Sequence, residues 1–110
     1  MARLSKQQVV KKPLKTEEVE VEAWGGSVLV REIPVAKRNE LFGKYIGPDG
    51  KPVVSMSLYL DMFVAGCVDP EFSMEEASRL SHEPVEKVAR VAMKLNGLGG
   101  EAQDEARGNS

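Results

Sequence analysis

The chain has 110 residues, enough for one domain around one hydrophobic core. With 42% hydrophobic and 29% charged residues it has an ordinary globular composition, and a formal charge of −2 supplies no overall field to hold nucleic acid or an anionic membrane. The single Cys67 excludes an intramolecular disulfide and a multi-cysteine metal site, and no apolar run approaches the roughly 20 residues that span a bilayer.

Charge is unevenly placed. Residues 1–15 carry Arg3, Lys6, Lys11, Lys12 and Lys15 with no acid, whereas Glu17, Glu18, Glu20 and Glu22 follow at once. The basic stretch shows no hydrophobic periodicity and contains Gln7-Gln8 and Lys12-Pro13, which predicts a mobile arm, read as a solvated tail in preference to one that orders on nucleic acid or on an acidic protein. From Thr16 the pattern changes to strict alternation. Val19, Val21 and Ala23 share one strand face, Glu18, Glu20 and Glu22 the other, and Gly25-Gly26 reads as a two-residue turn returning through Val28 and Val30. Two strands alone are marginal in water, so this hairpin must lay its dry face on helices.

Those helices follow in order. Pro34, read as a first helical position, opens Val35 to Tyr45, with Val35, Leu41, Phe42 and Tyr45 as apolar contacts, until Gly47-Pro48-Asp49-Gly50 breaks the run. Met56 to Val68 repeats Leu60, Phe63, Val64 and Cys67 at i, i+3, i+4 and i+7, with Tyr59, Met62 and Gly66 flanking, and Asp69-Pro70 ends it. Ser73 and Glu76 have capping-box spacing and start a short helix to about Leu80. Ser81 then caps His82 to Leu95, where Val85, Val88, Ala89, Ala92 and Leu95 form a stripe widened by Val91 and Met93, Glu86 and Arg90 pair at i,i+4, and Gly97 is the stop. The predicted fold is α+β: an N-terminal hairpin packed on about four helices. Its boundaries are an arm over 1–15, one domain over 16–98 and a flexible tail over 99–110.

No catalytic constellation emerges. His82 is the only histidine and reads as a helix-start surface residue, since a zinc site would need scattered carboxylates. The serines lack a Gly-x-Ser-x-Gly elbow, and Gly47 to Lys51 lacks phosphate-loop spacing. The helices around Ala77 and Val88 resemble a helix-turn-helix, in which Ala77, Leu80, Val85 and Val88 would pack together, but Glu83 and Glu86 would face phosphates, Glu75 and Glu76 sit on the helix before, and only Lys87, Arg90 and Lys94 would help. Trp24 either packs on a helix or protrudes as an interface anchor, packing being the favoured reading. Leu95 and Leu98 either close the helix C-cap or offer a groove to a long helix.

A Trp24-Gly25-Gly26 hairpin ending in Val30-Arg31-Glu32, a Pro34-led helix, Cys67-Val68-Asp69, and Leu95-Asn96-Gly97-Leu98 before Asn109-Ser110, in that order, resemble the tail assembly chaperones of long-tailed (siphovirus-like) bacteriophages and prophages. The resemblance runs from about Val19 to Ser110. It implies a non-enzymatic protein without cofactor or metal that coats the tape measure protein and assists tail tube polymerisation in the host bacterial cytoplasm, leaving the mature virion. A longer frameshifted product would recruit the tail tube protein. The partner-binding candidates are Trp24, Val91, Leu95 and Leu98, with self-association a further possibility. The rivals are a small DNA-binding regulator and a minor structural (connector) protein of the virion.

Overall fold

In the computed structural model, which describes residues 2–97, the alternating segment forms two antiparallel strands, β1 (Thr16–Val21) and β2 (Gly26–Arg31). Val19 pairs with Val28, and Val19, Val21, Val28 and Val30 turn a buried face to the core, while the glutamates of β1 face water. The turn is longer than the predicted Gly25-Gly26 connection. Gly26 already pairs with Val21, so the chain reverses through a 3-10 turn, Glu22–Trp24, closed by Gly25 at φ 70°. Ala23 therefore leaves the strand and is exposed. Gly25 supplies the left-handed conformation that other residues resist.

A third strand corrects the predicted helix over Met56 to Val68. That helix, α3 in the complete numbering of this fold, spans Met56–Gly66, and Cys67–Asp69 forms β3, antiparallel to β2, giving the order β1-β2-β3. Cys67 satisfies the helical period at i+7, so periodicity could not separate the two states. The open edge of β2 settles the matter by offering ladder hydrogen bonds to an extended Cys67 at ψ 112°. The register slips between Leu29, which pairs with Asp69, and Val30, which pairs with Cys67.

The remaining helices are α1 (Lys6–Val10), α2 (Val35–Gly43), α4 (Met74–Ser78) and α5 (His82–Leu95). Short α1 lies inside the predicted arm: Ser5 and Gln8 form a capping box at its start, and none of its residues is buried. On α2, Pro34 is the N-cap rather than a first helical residue, and Val35 is 70% exposed because the first turn overhangs the core. The helix stops at Gly43, not Tyr45, since the Tyr45 carbonyl accepts from Val53 N–H at 2.6 Å and closes the following loop. The Ser73–Glu76 capping box forms as predicted. Residue 81 is the N-cap of α5, but its hydroxyl makes no capping hydrogen bond.

The core centres on α3 and α5. Leu58, Met62 and Phe63 of α3 meet Val88, Ala89, Ala92 and Met93 of α5, all without measurable exposure, whereas Leu60 and Val64, predicted in the leading stripe, are half-buried. Gly66 lets the helices approach: a Cβ there would lie 2.8 Å from Ala92 Cβ. One turn further on, at the C-cap of α5, buried Asn96 ties α5 to α2 and to the connection between β2 and α2. Its Oδ1 accepts from Ile33 N–H at 2.8 Å, its Nδ2 donates to Ala92 O at 2.6 Å, and its carbonyl accepts from Arg38 Nε at 2.7 Å. Gly97 follows at φ 89°, the predicted left-handed stop. Lys87 Nζ donates to Glu20 O at 2.6 Å, fastening α5 to the outer strand. Leu98 and the predicted tail over 99–110 lie outside the described residues.

Candidate interaction surface

The 3-10 turn lifts Trp24 over the end of the sheet, where it meets two phenylalanines delivered from different elements. Its ring centroid lies 6.0 Å from Phe63 of α3 in an edge-on arrangement and 6.2 Å from Phe72, which precedes α4. Phe63 and Phe72 are 5.3 Å apart. Packing is thus the fate of Trp24, but its indole is only half-buried, and its free side contributes to a cleft.

That cleft, of about 300 Å³, is walled by Trp24, Val28, Pro70, Phe72 and Leu80, with Gly26 and Ser27 at one end. A second cleft of about 260 Å³ is lined by Met56, Leu60, Ala77, Leu80 and Val85, with Ser57, Ser78 and His82. Leu80 belongs to both. Its position follows from the local sequence: the capping box starts α4, buried Ala77 seats it on the core, and the helix ends at Ser78, so Leu80 stands between the two hollows. Among the described residues no carboxylate or lysine lines either cleft. The hydrophobic walls of both clefts offer dispersion and apolar burial to a side chain that enters them.

A third, open hollow of about 430 Å³ adjoins the first at Gly26 and Ser27 and carries Glu18 and Glu20 of β1. Glu18 accepts from Ser27 Oγ at 2.6 Å. The two hollows share Gly26 and Ser27, so the acidic outer face of the hairpin and the apolar cleft on its core side adjoin around its tip.

The titratable groups with displaced equilibria lie away from these clefts or serve structure. Burial pushes the Cys67 thiol up to about 11, and its Sγ contacts Pro70 O at 3.3 Å, which leaves it a small apolar group at neutral pH. Burial first, and then the 2.5 Å hydrogen bond to Asp61, raises the Tyr45 hydroxyl to about 12. Glu76 is held below the usual carboxylate range by accepting from Ser73 N–H. Among the described residues no group of three or more His, Cys, Asp and Glu is arranged to hold a metal ion, and no helix is long and apolar enough to cross a membrane.

Of the residues predicted to bind a partner, Trp24 lies in the cleft. Val91 and Leu95 are half-buried against the core and line none of these three hollows, and Leu98 lies outside the described residues. Phe72 lines the first cleft, Met56 the second, and Leu80 both. Their signal was the short capped helix between Phe72 and Leu80, too brief to bury two flanking apolar residues completely. Comparison with protein-family models, with curated proteins and with solved structures finds no match to this chain.

Proposed function

We propose that this chain is a non-enzymatic tail assembly chaperone of a long-tailed phage or prophage. It binds the tape measure protein in the host bacterial cytoplasm, keeps it soluble and yields it to polymerising tail tube subunits. The observation that carries this reading is the pair of apolar clefts meeting at Leu80, a surface suited to successive apolar side chains of an amphipathic helix. The ordered resemblance of the Trp24 hairpin and the later motifs supports the same choice. Magnitudes fit a removable coat. Burying one leucine-sized side chain contributes about 1.5–3 kcal/mol, while association costs at least about 4 kcal/mol, so a few anchors give modest affinity per copy and coverage relies on many copies. A longer frameshifted form would add the tail tube protein as a second partner.

Co-expression with a tape measure fragment from the same genome tests the proposal. The fragment should stay soluble only in the presence of this chain, and peptide mapping should find the chain absent from finished virions. An insoluble fragment, or stoichiometric amounts of the chain in purified tails, would transfer the reading to a minor structural protein of the virion. The DNA-regulator alternative requires salt-dependent duplex affinity. The exposed Glu75, Glu76 and Glu83 at the starts of α4 and α5 weigh against it.

A further inference from the structure

Helix α1 is folded, yet none of its residues is buried among the described residues. Its capping box is complete, but Val9 is 54% and Val10 74% exposed, and Leu4 just before it is 70% exposed. The same segment carries Arg3, Lys6, Lys11 and Lys12 and no acid. It thus combines apolar side chains with a dense positive charge, and the tip of the hairpin combines an apolar cleft, at Trp24, Phe72 and Leu80, with the acidic hollow of Glu18 and Glu20. The two surfaces match in both respects.

We infer that the arm, residues 3–12, docks at the hairpin tip of a second copy of this chain, its valines in the Trp24 cleft and its lysines on Glu18 and Glu20. Geometry favours a second copy over the chain's own tip. Glu32 N–H donates to Lys15 O at 2.7 Å, and Lys15 N–H donates to Glu32 Oε1 at 3.2 Å, so the root of the arm is pinned at the end of the hairpin opposite Trp24. The strand from Thr16 to Val21 spans about 17 Å, and the link from Val10 to Lys15 reaches about the same distance only when fully extended. In its own molecule α1 would arrive at the tip on a taut tether, with nothing left to seat its valines. A neighbour's arm has no such constraint. The long-range attraction brings the surfaces together, and burial of Val9 and Val10 holds them.

This self-association rests on the cleft and not on the identity of any phage partner, so it can fail while co-expression succeeds, and the reverse. The test is sedimentation velocity of the full chain, with the emission of its single tryptophan, Trp24, as a reporter of the cleft. At about 0.01 M salt the protein should form a species of at least twice the monomer mass with blue-shifted emission, and in about 1 M salt, where the Debye length falls to about 3 Å, its association should weaken about tenfold. Reversing the arm (Lys6→Glu, Lys11→Glu, Lys12→Glu) or the tip (Glu18→Lys, Glu20→Lys) should each give a monomer of unchanged circular dichroism. Mixing the two variants should restore association. Val9→Asp with Val10→Asp should abolish it without affecting the fold, since neither residue is buried. A monomer at every concentration, an oligomer that neither reversal disturbs, or a mixture that stays monomeric would overturn the inference.

Discussion

Helices α1 and α4 are built by the same local rules and meet opposite fates. Each has five residues, and each starts with a serine whose hydroxyl accepts from the third amide while the side chain at that position accepts from the serine's own N–H. Ala77 of α4 is 2% exposed and seats its helix on the core, with Phe72 and Leu80 packed beside it, whereas α1 buries nothing. A capping box thus decides where a helix begins, and burial decides whether the helix belongs to the fold.

The sharpest way to break this comparison is to place the same charge on each helix. Ala77→Asp puts a carboxylate into the core and should cost roughly 3 kcal/mol or more of unfolding free energy in urea, while Val9→Asp should change it by less than about 0.5 kcal/mol. Equal effects would mean that α1 is part of the cooperative unit.

Two further variants ask how α4 and its neighbours are held. Asn96→Ala removes the acceptor of the buried Ile33 N–H and should cost about 1–3 kcal/mol in the same titration. Gly66→Ala forces α3 and α5 apart at Ala92 and should cost about 1–3 kcal/mol as overpacking, partly offset by the better helix propensity of alanine. A stabilised Gly66→Ala would show that the helices can separate freely. Smaller still is the cap itself: Ser73→Ala should lose about 0.5–2 kcal/mol, and Ser5→Ala nothing measurable in global unfolding, because α1 melts without exposing the core.

A separate effect is alkaline. Cys67 titrates near 11 in the fold against an ordinary 9.0, and Tyr45 near 12 against 10.0. Both folded values are raised, so each neutral group stabilises the fold fully below its unfolded value and loses that contribution as pH rises from about 9 towards 12. Thermal melts should therefore fall progressively above about pH 9. Cys67→Ala should flatten the early part of that decline. Glu76 has the opposite sign: its lowered value stabilises above the ordinary carboxylate range and is lost on acidification.

Legibility in the sequence follows the same division between local and tertiary causes. The span of α5, its buried stripe and its glycine stop were readable because a 14-residue amphipathic helix repeats its signal many times. The Ser73–Glu76 box is readable, whereas the matching Ser5–Gln8 pair has no apolar periodicity after it to mark a helix. Strand β3 was illegible: three residues carry too little pattern, and only the vacant edge of β2 makes Cys67 extended. Of the predicted candidates Trp24 lines one of the clefts, through the hairpin that positions it. Leu80 and Phe72 gained their place from the geometry around a short helix, and Asn96, a polar residue beside a glycine, carries no sequence signal for the bonds it makes to α2 and to the connection between β2 and α2.

Hydrogen exchange of the full chain, with and without a tape measure fragment, tests the central claim most directly. The proposal places the partner on the hollows around Leu80, so amides of residues 24–28 and 70–85 should exchange more slowly in the complex, while those of Val91 to Leu95 keep their rates. Protection confined to Val91 to Leu95, or a bound complex with no added protection around Leu80, would contradict it.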